Sequence, residues 1–77
     1  MEIKVLGTGC AGCKALFETV KQVLAETNSA ATLVKEEDII KIMGYNVMAM
    51  PALVIDEKVV SAGKKLSAAD VKKLIGA

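Results

Sequence analysis

The chain has 77 residues with ten lysines, no arginine, no histidine and a formal net charge of +1. This length fits one domain over residues 1–77, and the near-neutral charge gives no reason to expect a nucleic acid or a membrane surface as partner. The lack of histidine excludes Cys–His catalysis and mixed Cys/His zinc sites within one chain. The sequence has no visible signal peptide and no apolar run of roughly 18 residues, so we expect a cytoplasmic protein.

The first half of the chain alternates strand and helix patterns. A strand is predicted over residues 2–6, with Ile3 and Val5 on one face and Leu6 on the other. Residues 10–26 predict an amphipathic helix, whose apolar stripe consists of Leu16, Phe17, Val20, Val23 and Leu24. Asn28 and Ser29 break this helix, and a second strand is predicted over residues 31–35.

A short second helix is predicted after the acidic residues 36–38, which suit its first turn. We expect Ile39, Ile40 and Met43 to supply its apolar side, and Gly44 to follow its last turn. Residues 45–51 then form a loop that ends in the only proline of the chain.

The second half predicts a hairpin and a closing helix. An apolar strand over residues 52–56, a turn near Glu57 and Lys58 and a strand over residues 59–62 form the hairpin. Ser67 and Asp70 form a capping box, Leu66 can pack on Val71, and Gly76 ends the helix. Its inward residues are predicted to be Val71, Leu74 and Ile75. The order β-α-β-α-β-β-α predicts an α/β fold with a mixed four-stranded sheet and three helices.

Cys10 and Cys13 are the only cysteines, and they stand in a Cys-x-x-Cys motif at the predicted start of the first helix. Free backbone N–H groups and the helix dipole favour a thiolate there, and the thiolate is the reactive form of cysteine. The spacing places both residues on one side of a helical turn, close enough for a disulfide. Because such a short loop removes only about 2 kcal/mol of unfolded-state entropy, a redox function is favoured over a stabilising one.

These features together resemble the thioredoxin-like superfamily, and most closely the short archaeal and bacterial group called small redox-active disulfide protein 2. The resemblance covers the whole chain: the Gly-Thr-Gly-Cys-Ala-Gly-Cys segment, the Met50–Pro51 step before the third strand, the hairpin and the last helix. It implies a minimal thioredoxin-like fold and a thiol–disulfide oxidoreductase.

The resemblance also implies roles for individual residues. Pro51 would follow a cis peptide bond and face the cysteines, and Met50 would offer its backbone to an extended substrate segment. Cys10 would attack and Cys13 would resolve, while Gly9 leaves the thiols open to a partner's backbone. The expected partners are a protein disulfide and a reductase or thiol donor, with no organic cofactor, and the protein is expected to be a monomer.

The sequence departs from ordinary thioredoxins at several positions. Gly9 stands where thioredoxins have tryptophan, and Ala11 and Gly12 replace the Gly-Pro between their cysteines. The first strand has no acidic residue at the place of the usual buried proton acceptor, and Lys4 is the only charge inside it. The glutathione-binding features of glutaredoxins are not evident.

Two other functions use the same residues. Residues 7–12 satisfy Gly-x-Gly-x-x-Gly, with Glu36 further on, but the antiparallel second half argues against a dinucleotide-binding unit. A soft-metal module could bind Cu(I) through both cysteines, with Met48 or Met50 assisting. Heavy-metal-associated domains end on a strand, whereas this chain is predicted to end on a helix. Met43 and Met48 are better explained as apolar packing residues.

Overall fold

A computed structural model of the chain describes residues 1–9, 11–28, 30–47, 49–64 and 66–76. The elements in chain order are β1 (Glu2–Leu6), α1 (Ala11–Glu26), β2 (Thr32–Glu36), α2 (Ile39–Met43), β3 (Ala52–Ile55), β4 (Lys58–Ala62) and α3 (Ala68–Ile75). The four strands form one sheet in the order β2-β1-β3-β4. The predicted fold class, a small α/β arrangement with a mixed four-stranded sheet and three helices, is confirmed.

Strand β1 lies at the centre of this sheet between partners of opposite direction. It runs parallel to β2 and antiparallel to β3, and β3 and β4 form the predicted hairpin. The hairpin turn is made by Asp56 and Glu57, which both have positive φ, as a two-residue turn compatible with strand twist requires. The turn therefore begins one residue earlier than predicted, and Lys58 belongs to β4.

The sheet separates two apolar clusters. On one face, α1 and α3 cover the larger cluster, which includes Ile3, Val5 and Leu53. On the other face, Ile42 of α2 packs with Leu6, Ala52 and Val54, and Tyr45 and Val47 lie against them. The predicted division of β1 between two faces is thus confirmed, because alternate residues of a strand point to opposite sides.

Helix α3 has the predicted start and end. The Ser67 side chain accepts a hydrogen bond from the Asp70 backbone N–H, and the Asp70 carboxylate accepts one from the Ser67 backbone N–H. These two bonds form a reciprocal capping box, and the N–H of Gly76 closes the other end on the carbonyls of Lys72 and Lys73. Leu74 departs from the prediction, since 36% of it remains exposed while Val71 is fully buried.

The prediction for α2 was wrong in its orientation. Ile39, Ile40 and Met43 were expected on the buried side, but they are 47%, 77% and 66% exposed, and Ile42 is the buried residue. The helix has only five residues, and four of them are apolar. The sequence pattern therefore does not identify which side of the helix is buried. The predicted packing role of Met43 is wrong for the same reason, and Met48 lies outside the described residues.

The segment before α2 also differs from the prediction. Glu36 ends β2 instead of opening the helix, because it pairs with Leu6 and its carbonyl accepts a hydrogen bond from the Gly7 N–H at 3.0 Å. Asp38 alone caps α2, through a bond from the Ile40 N–H. Gly44 follows the helix with right-handed φ and ψ, so it does not adopt the left-handed conformation typical of a glycine at that position.

A polar network crosses the sheet on the α2 side. The Lys4 ammonium donates to the Tyr45 hydroxyl and to Glu57, at 2.9 Å each, and the Tyr45 hydroxyl donates to Glu57 at 3.1 Å. The hydrogen bond to Tyr45, followed by the one to Glu57, raises the pKa of Lys4 above its ordinary value. The network joins β1, the loop after α2 and the hairpin turn.

Candidate active site at the start of helix α1

Cys13 lies in the first turn of α1 and is enclosed by the turn that precedes the helix. It is 2% exposed, it is disulfide-bonded, and its side chain faces Gly7. A Cβ on Gly7 would overlap the Cys13 Sγ and lie 2.7 Å from its Cβ, so this position accepts no side chain unless the cysteine moves. The sequence does not indicate this role of Gly7, because the contact depends on how sharply the chain turns from β1 into α1.

Cys10, the predicted attacking residue, lies outside the described residues. Its neighbours on both sides are described: Gly9 has a φ of 91°, and Ala11 begins α1 and is exposed. The Glu37 carboxylate lies beside the turn, because its Oε2 is 3.5 Å from the position that a Cβ on Gly9 would occupy. The sequence predicted Glu37 in the first turn of a helix, whereas it lies between β2 and α2, next to the cysteine motif.

Pro51 faces the segment between the two cysteines. The Met50–Pro51 peptide bond is cis, and the Pro51 Cδ lies 3.7 Å from the position of a Cβ built on Gly12. Gly12 and Pro51, which are almost forty positions apart in the sequence, therefore lie next to each other at the start of α1. Met50, the other predicted substrate-binding residue of this loop, is 39% exposed.

A cleft of about 430 Å³ opens beside Gly12 and Pro51. Its described lining residues are Ala11, Gly12, Ala15, Leu16, Thr19, Pro51, Gly63, Lys64 and Leu66. One wall is the first half of α1, another is Pro51, and the third is the segment that follows β4. Apart from Lys64, these residues carry no charge, so the cleft suits an extended segment with apolar side chains.

The third wall was not predicted as part of the site. The Gly63 N–H donates to the Pro51 carbonyl at 2.9 Å, which holds this segment against the proline loop. Gly63 has a φ of 70°, and a Cβ there would lie only 2.6 Å from the Ala49 Cβ. The sequence signal was a glycine directly after an apolar strand, but the residue it packs against is fourteen positions away.

The described residues contain no group of three or more cysteine, histidine, aspartate or glutamate side chains that could hold a metal ion. The described elements follow the order β-α-β-α-β-β-α, which differs from the β-α-β-β-α-β order of heavy-metal-associated domains. The soft-metal alternative is therefore not supported. In the same described ranges, no helix is long and apolar enough to cross a membrane.

Comparisons with known proteins agree with this geometry. The family described as thioredoxin domain matches residues 1–76. The chain is 28% identical over 75 residues to a thioredoxin of Methanothermobacter thermautotrophicus, with 97% of each chain covered. It is 32% identical over 71 residues to a thioredoxin of Methanocaldococcus jannaschii, with 92% of this chain and 81% of the relative covered. The matched residues extend from β1 to α3, and the chain therefore belongs to the thioredoxin domain family.

Proposed function

We propose that this protein exchanges disulfides with a protein partner through Cys10 and Cys13. The family relationship supports a thiol–disulfide oxidoreductase type of function. The observation that carries the finer proposal is the burial of Cys13 under Gly7, next to a cleft formed by exposed residues of the same helical turn. A buried second cysteine beside an open cleft fits a resolving thiol that acts after the partner has bound.

The reaction then has two exchange steps. The Cys10 thiolate attacks one sulfur of the partner disulfide, that S–S bond breaks, and the second partner sulfur leaves as a thiolate. The Cys13 thiolate next attacks the Cys10 sulfur, so the Cys10–Cys13 bond forms and the mixed disulfide breaks. Two electrons pass to the partner, whose two thiolates take up protons from water. A separate dithiol protein or low-molecular-weight thiol must then reduce the Cys10–Cys13 bond.

The start of α1 supports the first step electrostatically. The free N–H groups of a helix N-terminus stabilise negative charge, and the first turn of α1 itself contains no acidic residue. The Glu37 carboxylate, which lies beside the turn before the helix, is the negative charge that this end must outweigh. We expect Gly9 and Gly12 to leave space for a partner backbone, and Met50 and Pro51 to offer their own backbone to the same partner segment. We also propose that the protein acts in the cytoplasm, as the sequence predicts.

Cysteine variants test these roles. Cys13→Ser should still attack but not resolve, so a mixed disulfide with a partner protein accumulates. Cys10→Ser should trap at least about tenfold less, because Cys13 is almost fully buried. Mass spectrometry of complexes trapped from a native lysate measures both, with the double serine variant as control. Equal trapping by the single variants, or stronger trapping through Cys13, would reverse the assigned roles.

A further inference from the structure

A second depression lies between β4 and α3, next to the cleft beside Pro51. This depression, about 320 Å³, has as its described lining Val60, Lys64, Leu66, Asp70, Lys73 and Leu74. Lys64 and Leu66 line both depressions, so the two share a wall. We call the second depression the α3 groove. A partner that contacts the cleft at Gly12 therefore has the α3 groove directly beside it.

The α3 groove has apolar walls that the rest of the fold does not cover. Val60 is 37% exposed and Leu74 is 36% exposed, although both belong to regular elements. Val60 has no partner in the register between β3 and β4, because an irregularity at Leu53 and Val54 leaves it as the extra residue of a bulge. This bulge prevents regular pairing of β4 with another strand, so side-chain contacts are the means of recognition available here.

The charge of the α3 groove is positive. Within the described part of the chain, the ion pairs involve Lys4 and Lys72, and neither Lys64 nor Lys73 forms one. The charge of Lys73 acts on Asp70 at longer range, because it helps to lower the pKa of that carboxyl. Asp70, the acidic residue of the groove, is already engaged: its Oδ2 accepts from the Ser67 N–H at 3.1 Å and the Ser67 hydroxyl at 3.0 Å. Two ammonium groups therefore remain available beside apolar side chains.

We infer that the α3 groove selects partner segments in which acidic and apolar side chains flank the reactive disulfide. This inference rests on the proposed oxidoreductase function and specifies its substrate class. The apolar side chains contact Val60, Leu66 and Leu74, and the acidic ones pair with Lys64 and Lys73. The charge of the partner segment determines the selectivity. Apolar contacts alone would accept many segments, whereas an ammonium group attracts acidic segments and repels basic ones.

Three peptides test this preference. Each carries the same disulfide between two leucine-containing segments, and the residues flanking the cysteines are glutamates, glutamines or lysines. The wild-type protein should reduce the glutamate peptide about tenfold faster than the glutamine peptide, because each exposed ion pair contributes up to about fivefold. The lysine peptide should be the slowest. The preference should largely disappear in about 0.5 M salt, where exposed charges are screened.

Matched charge reversals locate the effect. Lys64→Glu and Lys73→Glu should each lower the ratio of glutamate to glutamine rates by about threefold, and together they should remove or reverse the preference. Lys41→Glu makes the same change in net charge on α2, which packs on the opposite face of the sheet. The ratio of glutamate to glutamine rates measured for Lys41→Glu should equal the wild-type ratio within experimental error. Equal losses in Lys41→Glu and Lys73→Glu would overturn the inference, because they would reduce it to an effect of net charge.

A redox-inactive version of the glutamate peptide, with serine in place of cysteine, separates this inference from the proposed function. Its binding to the ¹⁵N-labelled protein should shift the amide resonances of Lys64, Lys73 and Leu74. Shifts at these amides without reduction of any peptide would support the α3 groove and contradict the oxidoreductase proposal. Reduction of all three peptides at equal rates without such shifts would overturn the inference and leave the oxidoreductase proposal standing.

Discussion

Gly7 shows how one residue without a side chain can determine the depth of a cysteine. The Cys13 side chain occupies the space where a Cβ of residue 7 would lie, and this contact keeps Cys13 at 2% exposure. Gly12, only one residue before Cys13, has the opposite environment, because a Cβ there meets Pro51 at an ordinary contact distance of 3.7 Å. The two glycines therefore have different tolerances for alanine.

Gly7→Ala should lower the free energy of unfolding by about 1–3 kcal/mol, as overpacking of a closed site does. Gly12→Ala should change it by less than about 1 kcal/mol, because alanine favours the helix and no atom has to move. Urea unfolding of both oxidised variants measures the difference. A similar small effect for both would show that Gly7 does not enclose Cys13 as described.

At the scale of elements, α2 is held by one side chain, although four of its five residues are apolar. Ile42 is 2% exposed in the cluster with Leu6, Ala52 and Val54, while Ile40 is 77% exposed. Ile42→Ala should therefore cost about 2–4 kcal/mol of unfolding free energy, and Ile40→Ala less than about 0.5 kcal/mol. Thermal and urea unfolding of the two variants distinguish this orientation from the one that the sequence suggested, which would give the reverse order.

The capping box of α3 should make the free energy of unfolding depend on pH. The bonds from the Ser67 backbone and hydroxyl hold the pKa of Asp70 below its ordinary value of 3.8. Since the folded pKa is lower than the unfolded one, the stabilisation is complete above the unfolded value and is lost as the pH falls through the folded value. Asp70→Asn should therefore be less stable than the wild type at pH 7, and the difference should shrink below about pH 4.

Urea unfolding at pH 7, 4 and 3 tests this expectation. Ser67→Ala removes the hydroxyl donor and the cap, and it should cost about 1 kcal/mol at pH 7. Its effect should also decrease in acid, because Asp70 then loses the charge that the hydroxyl stabilises. A difference between the wild type and Asp70→Asn that stays constant over this range would contradict the role of the Asp70 carboxylate.

At the scale of the whole molecule, the sequence predicted what local patterns determine. The stripe of α1, the capping box of α3 and the alternation in β1 each depend on residues a few positions apart, and all three are present. The orientation of α2 and the exposure of Leu74 depend on which face of a helix the sheet covers. No pattern within these short helices specifies that face.

The candidate site also combines features that the local sequence predicts with features that depend on long-range contacts. The cysteine motif and Pro51 were identified from their types and neighbours, whereas the contact between Gly7 and Cys13 and the wall at Gly63 depend on the path of the chain. Lys64 and Leu66 became part of the cleft because the hydrogen bond from Gly63 to Pro51 draws the segment after β4 over the proline loop. Such long-range contacts are visible only in the folded molecule.

The central position of β1 has a consequence for synthesis on the ribosome. Ile3 pairs with Ile55, and the ion pair between Lys4 and Glu57 joins residues 53 positions apart. β1 therefore obtains its second neighbour only after the residues up to Ile55 have left the ribosomal exit tunnel. Until then β1 can be joined by α1, β2 and α2, while one of its hydrogen-bonding edges stays open to other strands. Completion of the hairpin closes that edge and ends the period in which the emerging chain is most exposed to aggregation.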